Sequence, residues 1–318
     1  MRLVFYGTPD DAVRPLRALV DAGHEVALVV TQPDRRRGRG SDPAASPVRR
    51  AAEGLGLTVR MPERAHETVE EIRGLHADLG VVVAFGQILP NALLDVVAGG
   101  FVNLHFSLLP RWRGAAPVER ALLAGDTETG VCLMRVEPEL DAGPIYASVE
   151  VPISADDTAG TLRRRLVAAG SDLLVRHVAR VPGATPTPQL GEPTYAEKLS
   201  VEEFRVDPRE RASHIGRLIR AGNPKPGAWF VVRGRRVKVW GAHVVVSDDR
   251  VDGPPGAVGR HGELVTADGV LALDDVQPEG KRVMPAAAWR AGLRGDVVLD
   301  APHATDDASA PDADDHAT

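Results

Sequence analysis

Cysteine is nearly missing from this 318-residue sequence: Cys132 stands alone. A single thiol excludes an internal disulfide and any zinc site built from several thiolates. It lies in the apolar run VCLMRV, which reads as a buried, unreactive position. Aromatic residues are few, at 4%, and Lys is sparse beside Arg, a bias that gene composition explains as well as function does. No stretch approaches the roughly 20 apolar residues of a membrane-spanning helix. The N-terminal MRLVFYGTPD has an apolar run too short for a signal peptide and reads as a first β-strand. Gly7 follows that strand alone, without G-x-G-x-x-G, so a dinucleotide phosphate cradle has no support. Histidines outside position 105 lack ligand spacing such as H-x-x-x-H, and no metal site is expected. These absences point to a metal-free cytoplasmic protein with no membrane contact; a monomer is expected.

The chain is 43% hydrophobic and 26% charged, as soluble globular proteins are, and its length suggests two domains. The formal net charge of −6 is unevenly spread. Residues 301–318 hold five Asp and no Lys or Arg, and this Ala/Pro/Asp tail is expected to be disordered. Residues 205–238 carry ten Arg or Lys against Asp207 and Glu210, a local charge of +8. Such a cluster suits a polyanion partner; a solvated, Arg-rich helix and hairpin is the plainer alternative.

Strands and helices alternate through the first half. Strands are expected at 2–6, 25–31, 57–60, 79–84, 101–106, 130–136 and 145–152, with helices from Val13 to Asp21 and after Ser46-Pro47, a cap followed by a first-turn proline. Further helices are expected at 66–74, 91–97, 116–124 and 158–180. Val81–Val83 is apolar without alternation, as a strand buried on both faces should be. The expectation is an α/β fold, with a Rossmann-like, mostly parallel sheet over 1–181. A Pro/Gly/Thr-rich linker is placed at 182–206. Five short strands with turns over 207–300 suggest a smaller, open β-barrel domain of OB-like type.

The chain is organised around FVNLHFSLLPRWRGAAP, residues 101–117. Side chains alternate across a strand, so Val102, Leu104 and Phe106 share a core face, while Asn103 and His105 share the other. Both polar groups then reach the carboxyl end of the strand, where open α/β sheets bind ligands. An amide and an imidazole held there can donate to a carbonyl oxygen that is gaining charge. Alone, each has a duller reading: a structural Asn, a satisfied core His, and, for Asp141 in the Gly/Pro loop LDAGPIY, a turn residue.

Together, Asn103-x-His105, SLLPRWRGAAP and Asp141 resemble the formyltransferases that use 10-formyltetrahydrofolate. RWRGAAP resembles their methionyl-tRNA branch, and so do TQPD and GRG near 31–40, TYAEKLS at 194–200, NPKP at 223–226 and VKVW at 237–240. The resemblance implies transfer of a formyl group from N10 of the folate to the amine of initiator Met-tRNA through a tetrahedral oxyanion. It implies Asn103, His105 and Asp141 as the catalytic trio, with Asp141 holding the charged imidazole. It implies folate contacts from Phe85, Gly86 and Ile88 and from Ser107, Leu108, Leu109 and Pro110. For tRNA it implies Arg35, Arg36, Arg37 and Arg39 in the first domain, and Arg217, Arg220, Lys225 and Arg236 in the second. Three departures stand out. Ser41 and Asp42 replace a lysine pair, Phe85 replaces a Tyr, and Phe106 replaces a Gly. The weighed rivals are a nucleotide-sugar N-formyltransferase with the same trio and an RNA-binding protein that keeps the fold without the chemistry.

Overall fold

A computed structural model describes residues 1–36, 43–245 and 253–301. The chain divides into two compact units, Met1–Leu199 and Ser200–Thr318.

The first unit is built on seven strands: β1 (Arg2–Gly7), β2 (Glu25–Val30), β3 (Val59–Arg60), β4 (Leu79–Val83), β5 (Phe101–His105), β6 (Glu128–Arg135) and β7 (Ile145–Pro152). Their order is β7-β6-β5-β4-β1-β2-β3. β5, β4, β1, β2 and β3 run parallel; β6 is antiparallel to β5, and β7 is antiparallel to β6. The mostly parallel α/β sheet expected from the alternating pattern is thus borne out. β4 is buried along its whole length, as its unbroken apolar sequence requires.

Helices α1 (Val13–Asp21), α2 (Pro47–Gly54), α3 (Val69–Leu75), α4 (Asn91–Leu94), α5 (Pro117–Ala124) and α6 (Ala159–His177) cover the sheet. The Ser46 hydroxyl accepts from the Arg49 N–H and Pro47 opens α2, as the sequence signals. α1 packs on α6, and α6 packs on β6 and β7. On the other face Tyr6, Phe85 and Phe101 join Ile72, Leu89 and Leu93 in one apolar cluster. The Tyr6 ring meets Phe85 edge-on, with centroids 5.0 Å apart, and Phe101 at 5.7 Å.

The stretch read as a linker is anchored to this unit. Thr187 and Ile145 exchange backbone hydrogen bonds of 2.8 and 2.9 Å. Tyr195–Ala196 pairs in parallel with Arg113–Gly114. The chain leaves the first unit only at Leu199, because 187–196 fills its backbone hydrogen bonds against the loops that follow β5 and β6.

In the second unit α7 (Ala212–Gly222) precedes two antiparallel sheets. One is formed by Ala228–Val232, Arg235–Val239, Asp275–Pro278 and Met284–Pro285, the other by Ala242–Val245, Val270–Leu273 and Glu263–Val265. A short helix, α8 (Ala286–Ala291), follows, and its Trp289 packs against Phe230 with ring centroids 5.7 Å apart.

Candidate active site

Two parallel strands end side by side and open the site. β4 stops at Val83 and turns through Ala84–Gly86; β5 stops at His105. A cavity of about 520 Å³ lies at these carboxyl ends. Asn103, His105 and Asp141 line it, together with the backbone run from Ala84 to Leu89 and the apolar side chains of Met134, Val136 and Leu140.

Strand alternation delivers Asn103 and His105 to one face, and the loop after β6 brings Asp141 to both. The Asn103 amide lies 3.5 Å from Asp141 Oδ1, and His105 Nδ1 lies 3.5 Å from Asp141 Oδ2. The other imidazole nitrogen, Nε2, is 2.8 Å from the Trp112 carbonyl oxygen. A carbonyl only accepts, so Nε2 carries the proton of that bond and Nδ1 is the nitrogen left for exchange. Asp141 Oδ2 also accepts from the Gly114 N–H at 2.9 Å. The His105 side chain is 6% exposed and that of Asp141 is 13% exposed, so little water screens either group.

Backbone strain gathers here. Five non-glycine residues have positive φ among the described residues, and three serve this site: Ala84 at 46°, Trp112 at 63° and Asp141 at 49°. Such conformations persist only where surrounding contacts over-determine them. Gly143 explains part of the Asp141 loop: a Cβ there would come 2.0 Å from the Arg135 carbonyl oxygen.

The turn after β4 is pinned from β1 and β2. Thr8 Oγ1 donates to the Phe85 carbonyl at 3.1 Å, and Gln32 Nε2 donates to the same oxygen at 2.7 Å. Gly86, with φ of 80°, leaves room for the Gln32 amide, which a Cβ would meet at 2.7 Å. The Phe85 ring turns into the core against Tyr6, so at that position the cavity is bordered by backbone. Ile88 is 75% exposed and Leu140 57% exposed, which places two large apolar side chains at the rim.

Ser107–Pro110 does not line this cavity. Ser107 donates to the Arg111 carbonyl at 2.5 Å, and Leu109 packs on Cys132 and Met134. Leu108 borders a separate hollow beside Arg111, Trp112 and Asp126. Phe106 is buried and is among the residues lining the cavity. Burial pushes the Cys132 thiol up to about 11, in keeping with an inert core position.

Sequence reasoning passed over Arg163, which reaches the cavity from α6. It pairs with Asp11 at 3.0 Å and with Glu119. Burial works against the guanidinium, but the two carboxylates outweigh it and raise its pKa; burial likewise lifts the Asp11 carboxyl above the usual range despite Arg163.

Among the described residues, no group of three or more His, Cys, Asp or Glu is placed to hold a metal ion, and no helix is long and apolar enough to cross a membrane. Arg35 and Arg36 lie in a two-residue strand pairing with Pro43–Ala44; Arg37 and Arg39 lie outside the described residues. In the second unit Arg217 and Arg220 sit half-buried on α7, and Lys225 is exposed in the following loop. The Arg236 guanidinium lies 3.9 Å from the centroid of the Trp229 ring, with Arg205 at 5.3 Å from the same ring. Burial lowers the Arg236 pKa, against the pull of Glu202 and Glu279.

Residues 1–178 match the formyl transferase family model, and residues 198–294 match the model of the formyl transferase C-terminal domain. The chain belongs to the formyl transferase family. Family members at high similarity include the methionyl-tRNA formyltransferases of Jannaschia sp. (strain CCS1) and Thermus thermophilus. The first is 47% identical over 300 residues, spanning 92% of this chain and 97% of the relative. The second is 47% identical over 298 residues, spanning 92% and 96%. The solved structure of HypX from Aquifex aeolicus in complex with tetrahydrofolic acid shares the fold at a TM-score of 0.65 and 18% identity, over 92% of this chain and 47% of that one. The N-formyltransferase from Helicobacter canadensis, solved with folinic acid and dTDP-3-aminofucose, does so at 0.61 and 19%, over 85% and 98%.

Proposed function

We propose that this family member transfers the formyl group of 10-formyltetrahydrofolate to the free amino group of methionyl initiator tRNA. The observation that carries the reading is the convergence of Asn103, His105 and Asp141 at one end of the cavity. Near-half identity to methionyl-tRNA formyltransferases along 92% of the chain supports the choice of acceptor.

The cavity suits the donor. Its volume of about 520 Å³ falls in the range for drug-sized ligands, and its lining sets apolar residues beside the polar Asn103, His105, Asp141 and Arg163. Residues 84–89 would meet the pterin through backbone edges, with Ile88 and Leu140 closing over the flatter part of the molecule.

The amine attacks the formyl carbon, and charge builds on the formyl oxygen. The Asn103 amide donates to that oxygen, and a protonated His105 donates beside it through Nδ1. With Nε2 committed to Trp112, every proton that His105 exchanges with substrate passes through Nδ1. Asp141 faces that nitrogen at 3.5 Å, and its carboxylate takes up the ammonium proton as Nδ1 gives its own proton to the leaving N10. No covalent enzyme intermediate is needed.

The tRNA would be held by Arg35, Arg36, Arg37 and Arg39 and by the basic second unit through Arg217, Arg220 and Lys225. Binding should therefore weaken steeply with salt. An acid-gel shift assay tests the reading. Charged initiator tRNA and 10-formyltetrahydrofolate should yield formylated product, while UDP- and TDP-amino sugars should not. The reverse preference would move the chain to the sugar-modifying branch.

A further inference from the structure

We propose that Gln189 is a positioning residue for formyl transfer, which holds the Asp141 loop in its strained shape and so keeps the carboxylate within reach of His105 and Asn103. The inference rests on the reading of that trio as the reacting groups.

Gln189 comes from the anchored stretch, 48 residues after Asp141. Its Nε2 donates to the carbonyl oxygens of Asp141 and Gly143, both at 2.8 Å. Its Oε1 accepts from Arg113 Nε at 3.1 Å and Nη2 at 2.8 Å. Carbonyls only accept and a guanidinium only donates, so the amide has one possible orientation and both of its ends are filled.

These contacts meet a specific need. Asp141 has φ of 49°, which a β-carbon disfavours. Its side chain is fixed at one end by the Gly114 N–H, and its backbone carbonyl is fixed at the other by Gln189. Arg113, the other partner of Gln189, directly precedes Gly114, so one amide ties the loop that carries the carboxylate to the loop that orients it. The same stretch supports the imidazole. Thr194 Oγ1 accepts from the Trp112 N–H at 2.9 Å, and the Trp112 carbonyl accepts from His105. Without the Gln189 bonds nothing else holds the Asp141 carbonyl in the contacts described, and the loop relaxes toward ordinary φ, swinging Oδ2 off Nδ1.

Two variants separate positioning from mere glue. Gln189→Met keeps length and loses every hydrogen bond; Gln189→Glu keeps an acceptor for Arg113 and loses both donors to the loop. Both should lower kcat by roughly tenfold to a hundredfold, the scale set by small misplacements of reacting groups. KM for folate and for charged tRNA should stay within about twofold, because ground-state binding is untouched. In protein carrying ¹⁵N-labelled histidine, the Nδ1 resonance of His105 should move in both variants while Nε2, held by Trp112, stays. Turnover restored by Gln189→Glu, a kcat loss that only tracks the folded fraction, or an unmoved Nδ1 resonance overturns the proposal. If the parent chain fails to formylate tRNA, the functional reading falls, and the nitrogen spectra still decide what Gln189 holds.

Discussion

His105 Nε2 and the carbonyl oxygen of Trp112 are 2.8 Å apart, and that one contact decides which imidazole nitrogen is left to face Asp141. The carbonyl belongs to a residue with φ of 63°, whose N–H is held by Thr194 Oγ1. The ring is thus aimed by a strained loop, with Nδ1 turned to Asp141 at 3.5 Å.

Loss of the oxyanion donors should be a kinetic defect. Asn103→Ala should lower kcat by about 10²–10³, the scale for one missing donor. His105→Ala should lower it at least as far, since proton exchange is lost too. Equilibrium binding of tetrahydrofolate and charged tRNA should change little in either variant. Single-turnover kinetics and fluorescence titration check this; near-parental turnover in either variant would remove the assigned roles.

Gly143→Ala should damage both fold and turnover. The added carbon would sit 2.0 Å from the Arg135 carbonyl, a backbone atom that cannot give way cheaply. A cost of about 1–3 kcal/mol, typical of overpacking, is expected in urea denaturation. Since the Gly143 carbonyl is also a Gln189 acceptor, kcat should fall beyond the loss of folded protein.

Arg163→Met should destabilise by up to about 3–5 kcal/mol, because two largely buried carboxylates lose their shared cation. The pH dependence has a definite sign. Burial already raises the Asp11 pKa in the folded chain, and removal of Arg163 raises it further. The folded variant then binds a proton more tightly than the unfolded one, so its stability is lost above the folded pKa and recovered as pH falls through it. The Tm gap between parent and variant should be widest near about pH 8 and should narrow in acid. A gap independent of pH would assign the loss to packing alone.

The basic second unit should act on one substrate only. Charge reversal at Arg217, Arg220 and Lys225 should raise KM for charged tRNA and leave KM for the folate alone, with a shallower salt dependence of binding. Arg236 is left out because its guanidinium packs on Trp229, so its reversal would also unseat that ring. Equal effects on both substrates would end the case for a tRNA-tracking unit.

The strand-borne part of the site was legible from alternation, and the Asp141 and Ala84–Leu89 loops only through the family resemblance. Asn103 and His105 two residues apart, at the end of an apolar strand, announce a shared face through alternation alone. The helix at Ser46-Pro47 and the buried strand at 79–83 were equally plain, because local chemistry sets them. The resemblance alone named Ser107–Pro110 as folate contacts; in the structure Ser107 bonds back to Arg111, and Leu109 fills an apolar gap against Cys132. Gln189 left no trace because its partners at Asp141 and Gly143 are backbone carbonyls, which every residue has. Its Pro/Gly/Thr surroundings read as a tether, although their polar groups are spent on the loops around the site.

That anchored stretch also sets where the molecule can be cut. The first family match stops at residue 178, ahead of Thr187, Gln189 and Thr194. A fragment ended there would keep Asn103, His105 and Asp141 in full and yet shed the groups that hold two of their loops still. On the proposed mechanism, a piece that keeps these loops in place should run to about Leu199, and its last twenty or so residues are positioning structure rather than trailing chain.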